Sequence, residues 1–142
     1  MSEAHSPQRQ LEVKQLLLLR QLRERQAMVA FQRSEEALRE ALATRDGHAL
    51  SVQQLQDRRA ELAQDVVTKH ASNLGRLSDY VSATYADLDD QLERMEDAWL
   101  SADEACESAQ ARRDEAREAW LRASGRQETA QAVPLAISVV KV

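Results

Sequence analysis

Three histidines and one cysteine are the side chains of this chain best suited to hold a metal or attack a substrate, and their spacing argues against both. His5, His48 and His70 stand in no metal-ligand spacing, and no Glu-x-x-His pair of a di-iron bundle occurs. There is no glycine-rich phosphate loop and no nucleophile elbow. Cys106 has no second cysteine to pair with, which fits a reducing cytoplasm. Its place on an apolar helical stripe, Val81 to Ala123, predicts a small buried side chain and not a nucleophile. Carboxylates are plentiful, but on the outside of a helix no pocket exists to shift their pKa values. The expectation is a protein with no catalytic residue, no metal and no cofactor.

Binding chemistry is better represented. Leu16, Leu17, Leu18 and Leu19 are consecutive and Leu22 comes soon after, and Arg20, Arg23 and Arg25 lie among and after them. Successive helical residues turn by about 100°, so four leucines in a row wrap the whole helix and one partner helix cannot cover them. A helix that is apolar all round is normally enclosed, here either by a socket in another protein or by a second copy of the chain. Near the other end of the sequence Arg113, Arg117, Trp120 and Arg122 form a second basic group. Between them lies an acidic stretch, Asp87, Asp89, Asp90, Glu93, Glu96, Asp97, Asp103, Glu104 and Glu107, interrupted by Arg94 alone. Such runs are either solvated faces, pairing with Arg39, Arg45, Arg58 and Arg59 across a helix interface, or one half of a docking surface for a partner.

The elements that must position these residues are helices. The chain has 142 residues, three glycines and two prolines, with 43% hydrophobic, 30% charged and 4% aromatic residues, a mixture that suits long helices and cannot fill a thick core. From Val81, alternating steps of four and three residues reach Tyr85, Leu88, Leu92, Met95, Trp99, Ala102, Cys106, Ala109, Arg113, Ala116, Trp120 and Ala123. Only Arg113 is not apolar, and this period of 3.5 held over six heptads predicts a coiled-coil seam. An earlier, noisier seam runs Ala27, Phe31, Ser34, Leu38, Ala41, Arg45, His48, Val52, Leu55, Arg59, Leu62, Val66, with polar entries near Gly47 where looser packing is expected. A lone helical glycine costs roughly 1 kcal/mol relative to alanine, so a continuous first helix, free to bend at Gly47, is favoured over a three-helix arrangement.

These signals predict an all-α fold, a long antiparallel two-helix coiled-coil hairpin about 75–90 Å long at 1.5 Å per residue. Residues 1–8 are expected as a flexible tail. Helix one covers about 9–71, a hinge about 72–76, and helix two about 77–124. Asn73 and Gly75 are suited to closing the first helix, Ser72 or Ser78 to capping the second, and Gly125 to stopping it. Residues 126–142 form a second flexible tail. Its apolar part, Ala132 to Val142, is suited to adding as a strand to a partner's sheet edge or to tucking against the helices. In the hairpin the two basic groups would meet at the open end. A net charge of −5 speaks against nucleic acid, and no stretch reaches the apolar length of a membrane span. A polar amino terminus without a signal-peptide core points to the cytoplasm.

The opening Leu11-Glu-Val-Lys-Gln-Leu-Leu-Leu-Leu-Arg-Gln-Leu-Arg-Glu-Arg-Gln-Ala27 resembles the start of the type III secretion central-stalk family, the FliJ/YscO-like coiled-coil proteins. The closing Ala111-Arg-Arg-Asp-Glu-Ala-Arg-Glu-Ala-Trp-Leu-Arg-Ala123 resembles the late part of their second helix. The likeness covers about residues 10–125 and leaves the apolar tail after Pro134 unexplained. It implies an antiparallel hairpin similar to the gamma-subunit stalk of rotary ATPases. It further implies insertion of the terminal end, Leu16 to Arg25 with Arg113 to Arg126, into a secretion ATPase hexamer. Other parts would contact an export-gate protein or chaperones, at the cytoplasmic base of a membrane secretion complex. Two other expectations stand beside it: a self-assembling adaptor such as a dimeric four-helix bundle, and a secretion chaperone that shields an apolar partner segment.

Overall fold

A computed structural model describes residues 7–69 and 74–131. They form two α-helices, α1 (Pro7–Lys69) and α2 (Leu74–Gln131), packed against each other as a hairpin, with no strand among the described residues. Pro7 opens α1, where its missing N–H would have had no intrahelical partner. The expected amino-terminal tail therefore loses Pro7 and Gln8 to the helix, and its first six residues lie outside those described, His5 included.

α1 passes through Gly47 without a break. No described glycine has a positive φ, and the Ser51 hydroxyl donates to the Gly47 carbonyl oxygen at 3.2 Å, a helical i to i−4 bond. The same back-bonding lets Thr44, Thr68 and Thr84 sit inside helices, donating to the carbonyls of Glu40, Gln64 and Tyr80.

Residues 70–73 lie outside the described residues, with His70, Ser72 and Asn73 among them. α2 already includes Leu74 and Gly75, so Gly75 is helical and not a left-handed closure. Ser78 donates to the Gly75 carbonyl from inside the helix and does not cap it. The far end also differs from expectation, because α2 continues through Gly125 to Gln131. A glycine ends a helix when it takes up the left-handed conformation, and Gly125 does not. The residues after it, Arg126-Gln-Glu-Thr-Ala-Gln131, include good helix formers and no proline.

Both stripes read from the sequence are the packed faces. Along α2 every position from Val81 to Ala123 on the stripe is buried or half-buried, and the four buried residues among those described, Leu88, Ala102, Cys106 and Ala109, lie on it. Along α1 every stripe position from Ala27 to Val66 is half-buried except Arg59.

The contacts divide into two units. One comprises Arg39–Ser108. Within it Arg45 bonds Asp103 (Nη1 to Oδ1, 3.4 Å) and Arg59 bonds Asp89 (Nε to Oδ1, 2.8 Å). Fourteen residues forward in α1 match fourteen backward in α2, which makes the pairing antiparallel with a repeat of two heptads. The Arg59 guanidinium also lies 5.1 Å from the Tyr85 ring centre. Partial desolvation works against the charge on Arg45. Asp103, the field of Cys106, and Asp46 together outweigh it and hold the Arg45 pKa above its ordinary value. Near Gly47, Arg45 stands partly covered on the α1 face, and the buried Ala102 and Cys106 flank its partner Asp103 on α2. The other unit joins residues up to Leu38 with those from Ala109 onward, and its marker is the stacked pair Phe31–Trp120, with ring centres 5.6 Å apart and planes 11° apart.

Stability should respond to position on these faces. Leu88→Ala removes the largest of the four buried side chains and lowers stability by about 2–3 kcal/mol. Leu50→Ala, at a residue 59% exposed, stays within about 0.5 kcal/mol, and thermal melting followed by circular dichroism compares the two. Gly47→Ala raises stability by about 0.5–1 kcal/mol, because a Cβ there meets nothing within 4 Å and the backbone is already helical. A loss of stability in that variant would contradict a helix continuous at Gly47.

Candidate partner-binding surface

The first part of α1 is open to solvent on every side. Each residue from Pro7 to Arg23 is exposed, and half-burial begins only at Glu24 and Ala27. The segment is helical because Leu, Gln, Arg and Lys are all good helix formers. Its large apolar side chains therefore face outward: Leu11, Val13, Leu16, Leu17, Leu18, Leu19 and Leu22. Charges from Arg9 to Arg25 are Arg9, Lys14, Arg20, Arg23 and Arg25 against Glu12 and Glu24, so the surface is apolar and basic at once.

The register sorts these residues by direction. Stepping back from Phe31 by the seam alternation gives Ala27, Glu24, Arg20, Leu17 and Val13. At about 100° per residue Leu16 flanks this line, whereas Leu11, Leu18 and Leu22 fall on the opposite side and Leu19 lies between. Exposure follows the same division at its extremes: Leu17 is 38% exposed, the least of the leucine run, and Leu18 is 64%, the most.

The basic residues of α2 lie at different levels. Trp120 stacks on Phe31, and its Nε1 is shielded from solvent with no hydrogen-bond partner among the described residues. Arg113 is one heptad nearer the hinge and half-buried on the seam, at the level of Leu38 by this register. Its Nε lies 3.2 Å from Asp114 Oδ1 without hydrogen-bond geometry. Leu22 lies nine residues beyond Phe31, about 14 Å along the axis. Arg113 and the stacked Trp120 are therefore part of the helix interface, set back from the exposed leucines. Arg117 and Arg122 are exposed, as are Arg20, Arg23 and Arg25.

Leu11 and Val13 belong to this surface, although the consecutive leucines that mark it begin only at Leu16. The signal for Leu11 was present as the spacing of seven and four that joins it to Leu18 and Leu22. Phe31, which covers Trp120, was on the expected seam but not among the expected site residues. Of the arginines expected to answer the acidic stretch, Arg45 and Arg59 do so across the seam. No such pair is found for Arg39 or Arg58 among the described residues. A second apolar feature is a shallow groove in the other unit, lined by Ala49, Val52, Glu96, Trp99 and Leu100.

Among the described residues no cluster of three or more His, Cys, Asp or Glu is placed to hold a metal ion, and no helix is long and apolar enough to cross a membrane. Compared with known proteins, the chain matches no family model, no curated protein and no solved structure.

Proposed function

We propose that this chain is a non-catalytic coiled-coil component of a bacterial type III secretion apparatus. It acts as a central stalk that binds the secretion ATPase hexamer and couples it to the export gate. The observation that carries this reading is the helical segment Leu11–Leu22, apolar on all sides, net basic and exposed throughout. Large apolar side chains left exposed along a projecting helix call for a partner, and the socket of a ring-shaped protein can receive such an end. The flanking Arg20, Arg23 and Arg25 suit a socket with an acidic rim. The sequence resemblance to the FliJ/YscO-like stalks selects the ring, and chaperones or the gate protein would meet other parts of the hairpin.

One observation favours a second reading. The groove at Val52, Trp99 and Leu100, with Leu100 itself 54% exposed, would suit self-assembly into a dimeric four-helix bundle. Sedimentation separates the two: the stalk is an elongated monomer, and a stable compact dimer that protects Leu18 would replace it with the adaptor.

The direct test is stimulation of a type III secretion ATPase by the purified chain. Leu18→Asp combined with Leu22→Asp and Arg23→Glu is expected to leave the helical content unchanged, since all three residues are exposed. Stimulation should fall by roughly tenfold or more, as for residues central to an interface. If the triple variant stimulates as well as the parent, the docking end has been misplaced; if the parent itself has no effect, the stalk reading fails.

A further inference from the structure

α2 ends in the described structure at Gln131, eleven residues past Trp120. Counting the same number back from Phe31 in the antiparallel pairing places that end level with Arg20 of α1. From Arg20 to Pro7, α1 continues alone among the described helices for about 20 Å. The chain after Gln131 thus departs beside the leucine surface, on its seam side. Its last eleven residues are Ala132-Val-Pro-Leu-Ala-Ile-Ser-Val-Val-Lys-Val142, in which Ser138 and Lys141 are the polar side chains. Eleven residues span up to about 36 Å when extended, more than enough to run the length of the α1 overhang.

We propose that this segment, residues 132–142, folds back along the seam side of the α1 overhang and covers Val13, Leu16 and Leu17. The far-side stripe Leu11, Leu18 and Leu22 then stays open for a partner. An apolar peptide tethered at the edge of an apolar surface has an effective concentration in the millimolar range, so it outcompetes dilute alternatives without a large interface. Pro134 prevents α2 from simply continuing, since it would remove a helical hydrogen bond and clash with the preceding turn. A second copy of the chain is the weaker occupant for the same side. It would set two net-basic segments, each with Arg9, Lys14, Arg20, Arg23 and Arg25 against Glu12 and Glu24, against each other. The tail brings only Lys141. The leucine run accordingly has two faces with two occupants, one from the chain itself and one from outside, and the cap does not depend on which protein the outer face binds.

The test uses the full chain with Cys106→Ala as background, so that introduced thiols report alone. An extended tail leaving at the level of Arg20 brings Leu135 near Val13. The pair Val13→Cys with Leu135→Cys should form an intramolecular disulfide in a buffer of oxidised and reduced glutathione, the oxidised form taking up the two electrons. It should do so roughly tenfold faster or more than the pair Leu11→Cys with Leu135→Cys, where the partner thiol lies on the far side of the same turn. The rates should not depend on protein concentration. In parallel, Leu135→Asp with Ile137→Asp should raise the fluorescence of a hydrophobic dye by about twofold or more as Val13, Leu16 and Leu17 are uncovered. Equal rates for the two pairs would overturn the proposal, because the tail would then sample both faces. Cross-links formed only between molecules, or dye binding unchanged by the aspartates, would overturn it as well, the former assigning the seam side to a second copy.

Discussion

A seam that repeats every 3.5 residues is the constraint on which the rest of this structure depends. Two helices have one line of contact, and side chains away from that line and its flanks remain in water. Only four residues are buried among those described, and all four belong to α2 and to that line. Stability is therefore spread thinly along many half-buried positions, with no central core to concentrate it. This is also why the leucines at the start of α1 matter. They are large enough to fill a core, but among the described residues nothing is placed to make one with them.

The seam of α2 was legible because nothing interrupts it: twelve apolar positions and Arg113 over six heptads point one way only. The α1 seam was readable too, even with Arg45, His48 and Arg59 on it, since position and not polarity decided which residues faced α2. Ends were the weak point. Gly125 carries the usual signature of a stop, yet a stop is a backbone conformation, and the sequence does not reveal whether a given glycine adopts it. The leucine surface was visible as a cluster but not as two faces. Four consecutive leucines look alike until the Phe31–Trp120 pair fixes which direction is inward. Nor did the sequence give the levels of Arg113 and Trp120, expected with the docking end, which stand half-buried on the seam.

The acidic stretch of α2 has a structural use that accounts for part of it. Asp103 and Asp89 each meet an arginine standing on the α1 seam, where an apolar residue would otherwise be expected. Exposed pairs of this kind contribute about 0–1 kcal/mol each, too little to hold the helices together. Their value lies elsewhere, since Arg45 fills a partly covered seam position and the Arg59 guanidinium lies over the Tyr85 ring. The remaining carboxylates of the stretch, Glu93, Glu96 and Asp97 among them, face solvent.

Heptad interfaces have an inherent weakness, which is that sliding one helix past the other by seven residues restores the same pattern of knobs and holes. Within Arg39–Ser108 the two ion pairs break that degeneracy. A slip in one direction would give Arg45 a new carboxylate in Glu96 but leave Arg59 facing Ser82; a slip in the other would give Arg59 Glu96 and leave Arg45 facing Gln110. Either way one of the two bonds is lost. The abrupt change of side-chain volume from Trp99 to Ala102 would also be carried out of step with whatever it fits. Within Arg39–Ser108 the alignment that keeps both pairs is thus favoured over either slipped one by the single bond that slipping loses. Pairs too weak to hold the helices together still bias which residues meet.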